Sequence, residues 1–396
     1  MNKRMNLITY SYVNKLIIFT LLTSLCLNTS KFKKLNTHQC YNNYNSFRIF
    51  DQSFLDDMYD LNNDNINVSL SSENSNNPNE DRLNFKQLNF IRNGYYLAVY
   101  DGHGGDFVSN YANERFPLYF EENYLTIEKK EFKQYEYEYD TNLIKKQREV
   151  IIEAIKKTFS QIERELYLIT EKEFETGNQN AAFVGSCALV IIIHNNEIIS
   201  ANLGDSKAML FRKSTNSTST NIEKIKIINR HNSAKQTERE KLIKNFPNDP
   251  DVVQCQGSDN KYCYVKGMLQ VTRAFADFHL KYNKFKVRSI KQFNGPYITS
   301  EPEILTFNYE TGRDYLVVAS DGMWDELSSK DVERIINESK ENKENKQNFA
   351  TVLLYKSLEN AANGLRITIN QLKSISPGKK KRNMHDDISI IVFIFK

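Results

Sequence analysis

Between residues 186 and 211 three apolar runs follow one another with almost nothing between them. The runs 186–193, 197–204 and 206–211 follow one another with turns at Asn195-Asn196 and Gly204-Asp205. Turns this short join neighbouring antiparallel strands, because a parallel crossover needs roughly a dozen residues or more. An antiparallel sheet is therefore written into the chain. The apolar runs 94–101, 315–320 and 387–395 read as further buried strands. Ile151, Ile155, Phe159, Ile162, Leu166 and Ile169 recur at steps of four and three, which is one face of a long helix. Other helices are expected over 104–124, 236–245, 330–337 and 349–363. Strands in hairpins with long helices inserted as pairs imply an α+β layered fold.

The chain has 396 residues, 40% of them hydrophobic and 26% charged, which is enough to bury a large core. Its net charge of +4 is misleading as a whole-chain figure. Residues 1–50 hold seven Lys or Arg and no acid, so the remainder is net negative. That argues against a general nucleic-acid grip. The five cysteines include no CxxC pair, and the six histidines no HxxxH spacing. Any metal should then be a hard cation held by oxygen. Cys187 reads as a buried hydrophobe. Cys255 and Cys263 flank a polar loop and could pair under oxidising conditions.

Residues 16–27, LIIFTLLTSLCL, lie among Lys3, Arg4, Lys15, Lys31, Lys33 and Lys34. A run this short fits the apolar core of a signal peptide better than a membrane span. The expectation is a leader over 1–30 that sends the chain to the secretory pathway or anchors it in a membrane. An organelle or mitochondrial transit sequence is the alternative, and a core helix the plainest one. Membrane contact is expected only through that leader, if uncleaved. Residues 31–79 are rich in Asn and Ser and read as a connector, with one catalytic domain over 80–396 and an insertion at 121–147.

Acidic residues recur at the ends of the apolar strands. Asp101-Gly102-His103-Gly104-Gly105 follows the first, Asp321-Gly322-Met323-Trp324-Asp325 follows the run LVVA, and His385-Asp386-Asp387 opens the last. Glu80-Asp81 precedes the first strand. Any one Asp-Gly is an ordinary turn. Several carboxylates at half-desolvated strand ends repel unless something balances them, and a divalent cation does so. A glycine after the aspartate lets the backbone come close and offer its carbonyl.

The stretches VYDGHGG, GDS, TRAFADF, SDGMWD and HDDISIIV stand in the order and spacing of the metal-dependent protein serine/threonine phosphatases of the type 2C class, and the chain resembles that family from about Glu80 onward. A subset, including the segment from His231 and that from Gly295, is similar to the pyruvate dehydrogenase phosphatase branch. The resemblance implies a central β-sandwich of two antiparallel sheets flanked by helix pairs. It implies two Mg²⁺ or Mn²⁺ ions bridged by Asp101. Asp321 and Asp386 would complete one ion's ligands, and Glu80 with the Gly102 carbonyl the other's. Asp81 would orient water, and Asp205 and Asp325 would join Asp321 in a weaker third site. A water activated by the metals would hydrolyse phosphoserine or phosphothreonine on proteins, with His103 as general acid. The expected partners are phosphorylated protein substrates, and the chain is expected to be a monomer.

Two positions depart from the family pattern. Asn76 stands where an arginine commonly grips substrate phosphate; Arg82 is a candidate substitute, and Arg273 a candidate support. Ala276 replaces a glycine, a change that matters if its φ is positive. Asp277 and Phe278 read as structural. The run Lys379–Arg382 reads as a loop, either solvated or in contact with acidic phosphosubstrates or anionic lipid. Two other functions stand beside the phosphatase: a catalytically weak, phosphoprotein-binding scaffold, favoured by Asn76, and an unrelated acidic metal-binding protein.

Overall fold

Two sheets lie face to face, and the pleat of a single strand shows why. In Gly94–His103 the side chains of Tyr96, Ala98 and Tyr100 point one way, into a core shared with two long helices. Leu97 and Val99 point the other way, into a core between the sheets. This is the two-residue period of a strand buried on both faces. The computed structural model describes residues 61–62, 66–131, 141–215, 221–257, 262–338 and 348–396. The apolar run 16–27 and the connector up to residue 60 lie outside the described residues.

One sheet runs, in order, through Leu61–Asn62, Ile66–Glu73, Ile388–Phe395, Asp314–Ala319, Lys207–Lys213 and Ile222–Lys226. The other runs through Phe275–Ala276, Gly185–Ser186, Gly94–His103, Ala188–His194, Glu197–Leu203 and Glu303–Asn308, with Asp81–Leu88 also paired to Gly94–His103. Every strand pair is antiparallel. The inter-sheet core sets Leu189, Ile191 and Ile198 of the second sheet against Leu210, Val318, Ile391 and Phe393 of the first. Each such fully buried side chain contributes roughly 1.5–3 kcal/mol, so the strand ends are held firmly.

The helices Phe107–Glu131 and Thr141–Glu175 cover the outside of the second sheet, with Phe116, Phe120, Phe159 and Ile162 packed on its aromatic face. The helices Ser329–Glu338 and Phe349–Gly364 cover the first sheet through Val332, Ile336, Leu353 and Leu358. The layered α+β sandwich expected from the hairpins is therefore the fold. A smaller core around Leu242, Val252, Val265 and Ile298 supports the excursion between residues 231 and 300. There Cys255 and Cys263, opposite each other in a hairpin, are joined as a disulfide.

Several elements differ from the sequence reading. Helix continues to Glu131 and resumes at Thr141, so both flanks of the segment 121–147 are helical. Paired strand begins upstream of residue 80, where Ile66–Glu73 runs along the whole of Ile388–Phe395. Lys379–Arg382 is a short helix rather than a loop. Its Lys381 is buried against Glu73 at 2.6 Å, and Arg382 pairs with Asp386 at 2.6 Å. The expectation of a membrane-anchored chain is corrected as well. No helix among the described residues is long and apolar enough to cross a membrane.

Candidate metal and phosphate centre

The acids come from both sheets and meet at one end of the sandwich. Asp101 is near the end of Gly94–His103, and the register sets Asp81 directly across from it. Asp205 occupies the turn by which the chain leaves Glu197–Leu203 in one sheet and enters Lys207–Lys213 in the other, so the expectation that this turn joins paired strands is corrected. Asp321 follows Asp314–Ala319 and starts the helix Asp321–Glu326. Asp386 lies two residues before Ile388–Phe395. Carboxylate oxygens of Asp101, Asp205 and Asp321 lie within 4.8 Å of one another.

Among the described residues Asp386 pairs with Arg382, while Asp81, Asp101, Asp205 and Asp321 form no ion pair with a basic side chain. Burial first, and then the charges of Asp321, Asp81, Asp205 and Asp386, hold the Asp101 carboxyl well above the usual carboxylate range. Asp321 is pushed up in the same way by burial and by Asp205, Asp386 and Asp325. Asp81 is raised by burial, Asp387 and Asp386, and its buried Oδ2 has no hydrogen-bond partner. Asp386 rises to about 6, mainly through burial, although Arg382 opposes the shift. A set of crowded, desolvated, acceptor-only oxygens with an orphaned atom among them is the donor set a hard divalent cation takes. The residues present fit Mg²⁺ or Mn²⁺.

Glu80 is brought to the centre by its backbone. Its carbonyl accepts from the Gly102 N–H at 3.2 Å and from Ser109 Oγ at 2.5 Å. A Cβ on Gly102 would fall 2.4 Å from that carbonyl oxygen, so only glycine allows the approach. Asp387 holds the same loop from the other side. It accepts from the backbone N–H groups of Ser75 at 2.6 Å, Asn76 at 2.9 Å and Glu80 at 2.9 Å, and from Asn76 Nδ2 at 2.9 Å. Sequence reading passed over this role because Asp387 looked like one more strand-end acid.

His103 Nε2 lies 2.7 Å from Asp277 Oδ2. Burial alone would lower the imidazole's pKa, but the charge and hydrogen bond of Asp277, with Asp205 and Glu80 behind it, carry the net shift upward. Asp277 and Ala276 both have left-handed backbones, with φ of 48° and 56°. The replacement of a glycine by Ala276 therefore costs about 1 kcal/mol of strain. The turn is held by Glu163, which accepts from the Ala276 N–H at 2.9 Å and pairs with Lys281 at 2.5 Å. Gly185 leaves the space for the His–Asp contact. A Cβ there would lie 2.1 Å from Asp277 Oδ2 and 2.5 Å from His103 Nε2. Nothing in the sequence signalled Gly185, whose neighbours come from segments far along the chain.

The two arginines singled out from sequence both have protein partners. Arg82 pairs with Asp106 at 2.8 Å and donates to Asn110 Oδ1 and to the carbonyls of Asn79 and Asp81 at 2.6 Å each. Arg273 donates to the Glu301 carbonyl at 2.8 Å. Asp325 lies within electrostatic reach of Asp321.

Residues 71–364 match the family model described as Protein phosphatase 2C. The chain is 30% identical over 314 residues to a probable protein phosphatase 2C 64 of Arabidopsis thaliana, covering 76% of this chain and 69% of that protein. It is 29% identical over 307 residues to a probable protein phosphatase 2C 67 of the same plant, covering 76% and 74%. The fold is similar to that of a crystal structure of a serine-threonine phosphatase 2C from Toxoplasma gondii, with a TM-score of 0.61, 16% identity, and coverage of 85% of this chain and 96% of that one.

Proposed function

Because the chain belongs to the protein phosphatase 2C family and is thereby a protein serine/threonine phosphatase, we propose that it hydrolyses phosphoserine and phosphothreonine with the acids of this centre holding two Mg²⁺ or Mn²⁺ ions. The observation that carries the reading is the convergence of carboxylate oxygens of Asp101, Asp205 and Asp321 within 4.8 Å of one another. Asp101, Asp321, Asp386, Glu80 and the Gly102 carbonyl are the ligands for the pair, with Asp205 and Asp325 available to a third ion. When bound, such a pair supplies Lewis acidity and a water activated near neutral pH.

The chain's own groups do the rest. Asp81, opposite Asp101 in register, has a free oxygen with which to orient water. His103 gives a proton to the departing serine or threonine oxygen as the P–O bond breaks. With Nε2 engaged by Asp277, Nδ1 is the nitrogen that hands the proton over. Arg82 is tied down by four hydrogen bonds and serves to hold the Asn79–Asp81 backbone. The reading of a weakly active phosphoprotein-binding module is favoured only by Asn76, whose amide is committed to Asp387.

The test is phosphate release from a phosphoserine peptide with Mn²⁺, with Mg²⁺ and with chelator. Metal-dependent turnover that Asp321→Asn abolishes is expected. A wild-type protein that binds the peptide and releases no phosphate with either ion defeats the assignment.

A further inference from the structure

Beside the acidic centre lies a second unbalanced cluster, of opposite sign. The segment after Ile222–Lys226 folds back onto the Gly204-Asp205 turn. The His231 N–H donates to the Gly204 carbonyl at 2.8 Å, Asn202 Nδ2 donates to the Asn229 carbonyl at 2.6 Å, and Asn232 Nδ2 donates to Asp205 Oδ2 at 2.6 Å. Arg230 is fixed between these anchors. Lys207 is placed by its own strand, opposite Ala319, two residues before Asp321. Its ammonium sits over the Trp324 ring at 4.0 Å, and Trp324 Nε1 donates to the Lys207 carbonyl at 2.9 Å.

Arg230 and Lys226 lie within electrostatic reach of Lys207, and both also act on Lys235. None of these four cations forms an ion pair with a carboxylate among the described residues, and the buried Nε of Arg230 has no hydrogen-bond partner. Lys235 shows the cost of the crowding. Burial, then Lys226 and Arg230, bring its ammonium down to about 8. The cluster borders the centre itself, since Arg230 acts on Asp321 and Lys235 on Asp205. Like charges held together on a rigid frame favour an anion for the same reason that the neighbouring acids favour a cation.

We infer that Lys207, Arg230 and Lys235 form a subsite for a second anionic side chain of the substrate, a glutamate or another phosphorylated residue near the scissile phosphoserine. The inference rests on the phosphatase reading for what the substrate is. The acids of the centre would hold the ions that neutralise a single transferred phosphoryl group, whereas the three cations of this cluster come from a strand start and from the segment after Ile222–Lys226. It suits a charge one or a few residues away along an extended peptide.

Three phosphoserine peptides differing only in flanking residues (neutral, glutamate or phosphoserine) test the inference in two ways. In turnover, wild type should prefer the acidic peptides over the neutral one by about tenfold in kcat/KM. That ratio should collapse toward one in Arg230→Gln/Lys235→Gln and in Lys235→Glu, and should shrink in wild type as salt rises. In binding, non-hydrolysable phosphonate versions should show the same loss of preference in the variants. No acidic preference in wild type, or a preference that survives both variants and high salt, overturns the subsite. Charge-dependent binding without turnover keeps the subsite and defeats the phosphatase reading. Turnover without preference does the reverse. The salt series on wild type decides the matter even if a variant fails to fold.

Discussion

Asp277 Oδ2 and His103 Nε2 meet at 2.7 Å across 174 residues of sequence, on a turn whose backbone is left-handed at both Ala276 and Asp277. A residue that reads as structural in the sequence is the partner of the proposed proton donor. A carboxylate in that position fixes the ring and stabilises its charged form. Asp277→Asn should therefore lower kcat for phosphoserine peptides by roughly 10- to 100-fold and lower it less for nitrophenyl phosphate, whose leaving group needs no proton. The sign of the pH effect follows. With His103 as the proposed acid, activity should be lost as pH rises through its pKa, which Asp277 raises. Removing that charge should move the alkaline limb of the kcat profile to lower pH. A limb that stays in place, with equal losses on both substrates, would show that Asp277 does not act through His103.

Gly185→Ala tests the same contact from the other side. Its Cβ would overlap the two side chains rather than the backbone, so the contact should open. Alone it should cost about tenfold in kcat or more. Combined with Asp277→Asn it should add little, because both changes remove one interaction. Additive losses would separate the glycine from the histidine.

The acidic centre should destabilise the metal-free protein. For a carboxyl whose folded pKa lies above its unfolded value, the folded state binds the extra proton, so stability falls as pH rises from the unfolded value through the folded one. Asp386, raised to about 6, and Asp101, Asp81 and Asp321, each held above the usual carboxylate range by burial and neighbouring acids, all act in that direction. At pH 7 in chelator, Asp321→Asn should melt a few degrees above wild type, equivalent to roughly 1–2 kcal/mol. With Mn²⁺ the order should reverse, since wild type alone gains full binding energy. Thermal unfolding in both buffers checks this. A variant less stable than wild type in chelator contradicts the electrostatic account.

Lys381 and Lys380 are adjacent in one basic run, but only Lys381 is buried, at 3% side-chain exposure, against Glu73. Lys381→Met leaves the Glu73 carboxylate without its partner and should cost roughly 2–3 kcal/mol. Lys380→Ala, at an exposed position, should change stability by less than about 0.5 kcal/mol. Denaturant unfolding distinguishes the two. Equal effects would mean that the run behaves as a solvated segment.

The parts of the fold legible in the sequence were those with a strong local signal. Ala188–His194 and Glu197–Leu203 are almost wholly apolar and joined by a two-residue turn, so their pairing could be read directly. Ile66–Glu73 was hidden because INVSLSSE has the composition of the Asn/Ser-rich stretch around it, and its alternation of Ile66, Val68 and Leu70 is short. Asp81–Leu88 was hidden because its polar residues mask Leu83 and Phe85, which reach the inter-sheet core. In the centre, Asp101 and Asp321 could be named because each follows an apolar strand, and Asp205 through the family resemblance. Asp277, Gly185 and Arg230 could not. Their importance lies in what they approach across the fold, and no local pattern records a distance between residues far apart in the chain.

Counting bound Mn²⁺ by calorimetric titration bears most directly on the convergence of strand-end acids around a pair of cations. Wild type should bind at least two ions per chain, and Asp101→Asn, which removes the group proposed to serve both, should abolish high-affinity binding altogether. Binding of a single ion by wild type, or two ions retained by Asp101→Asn, would contradict the account.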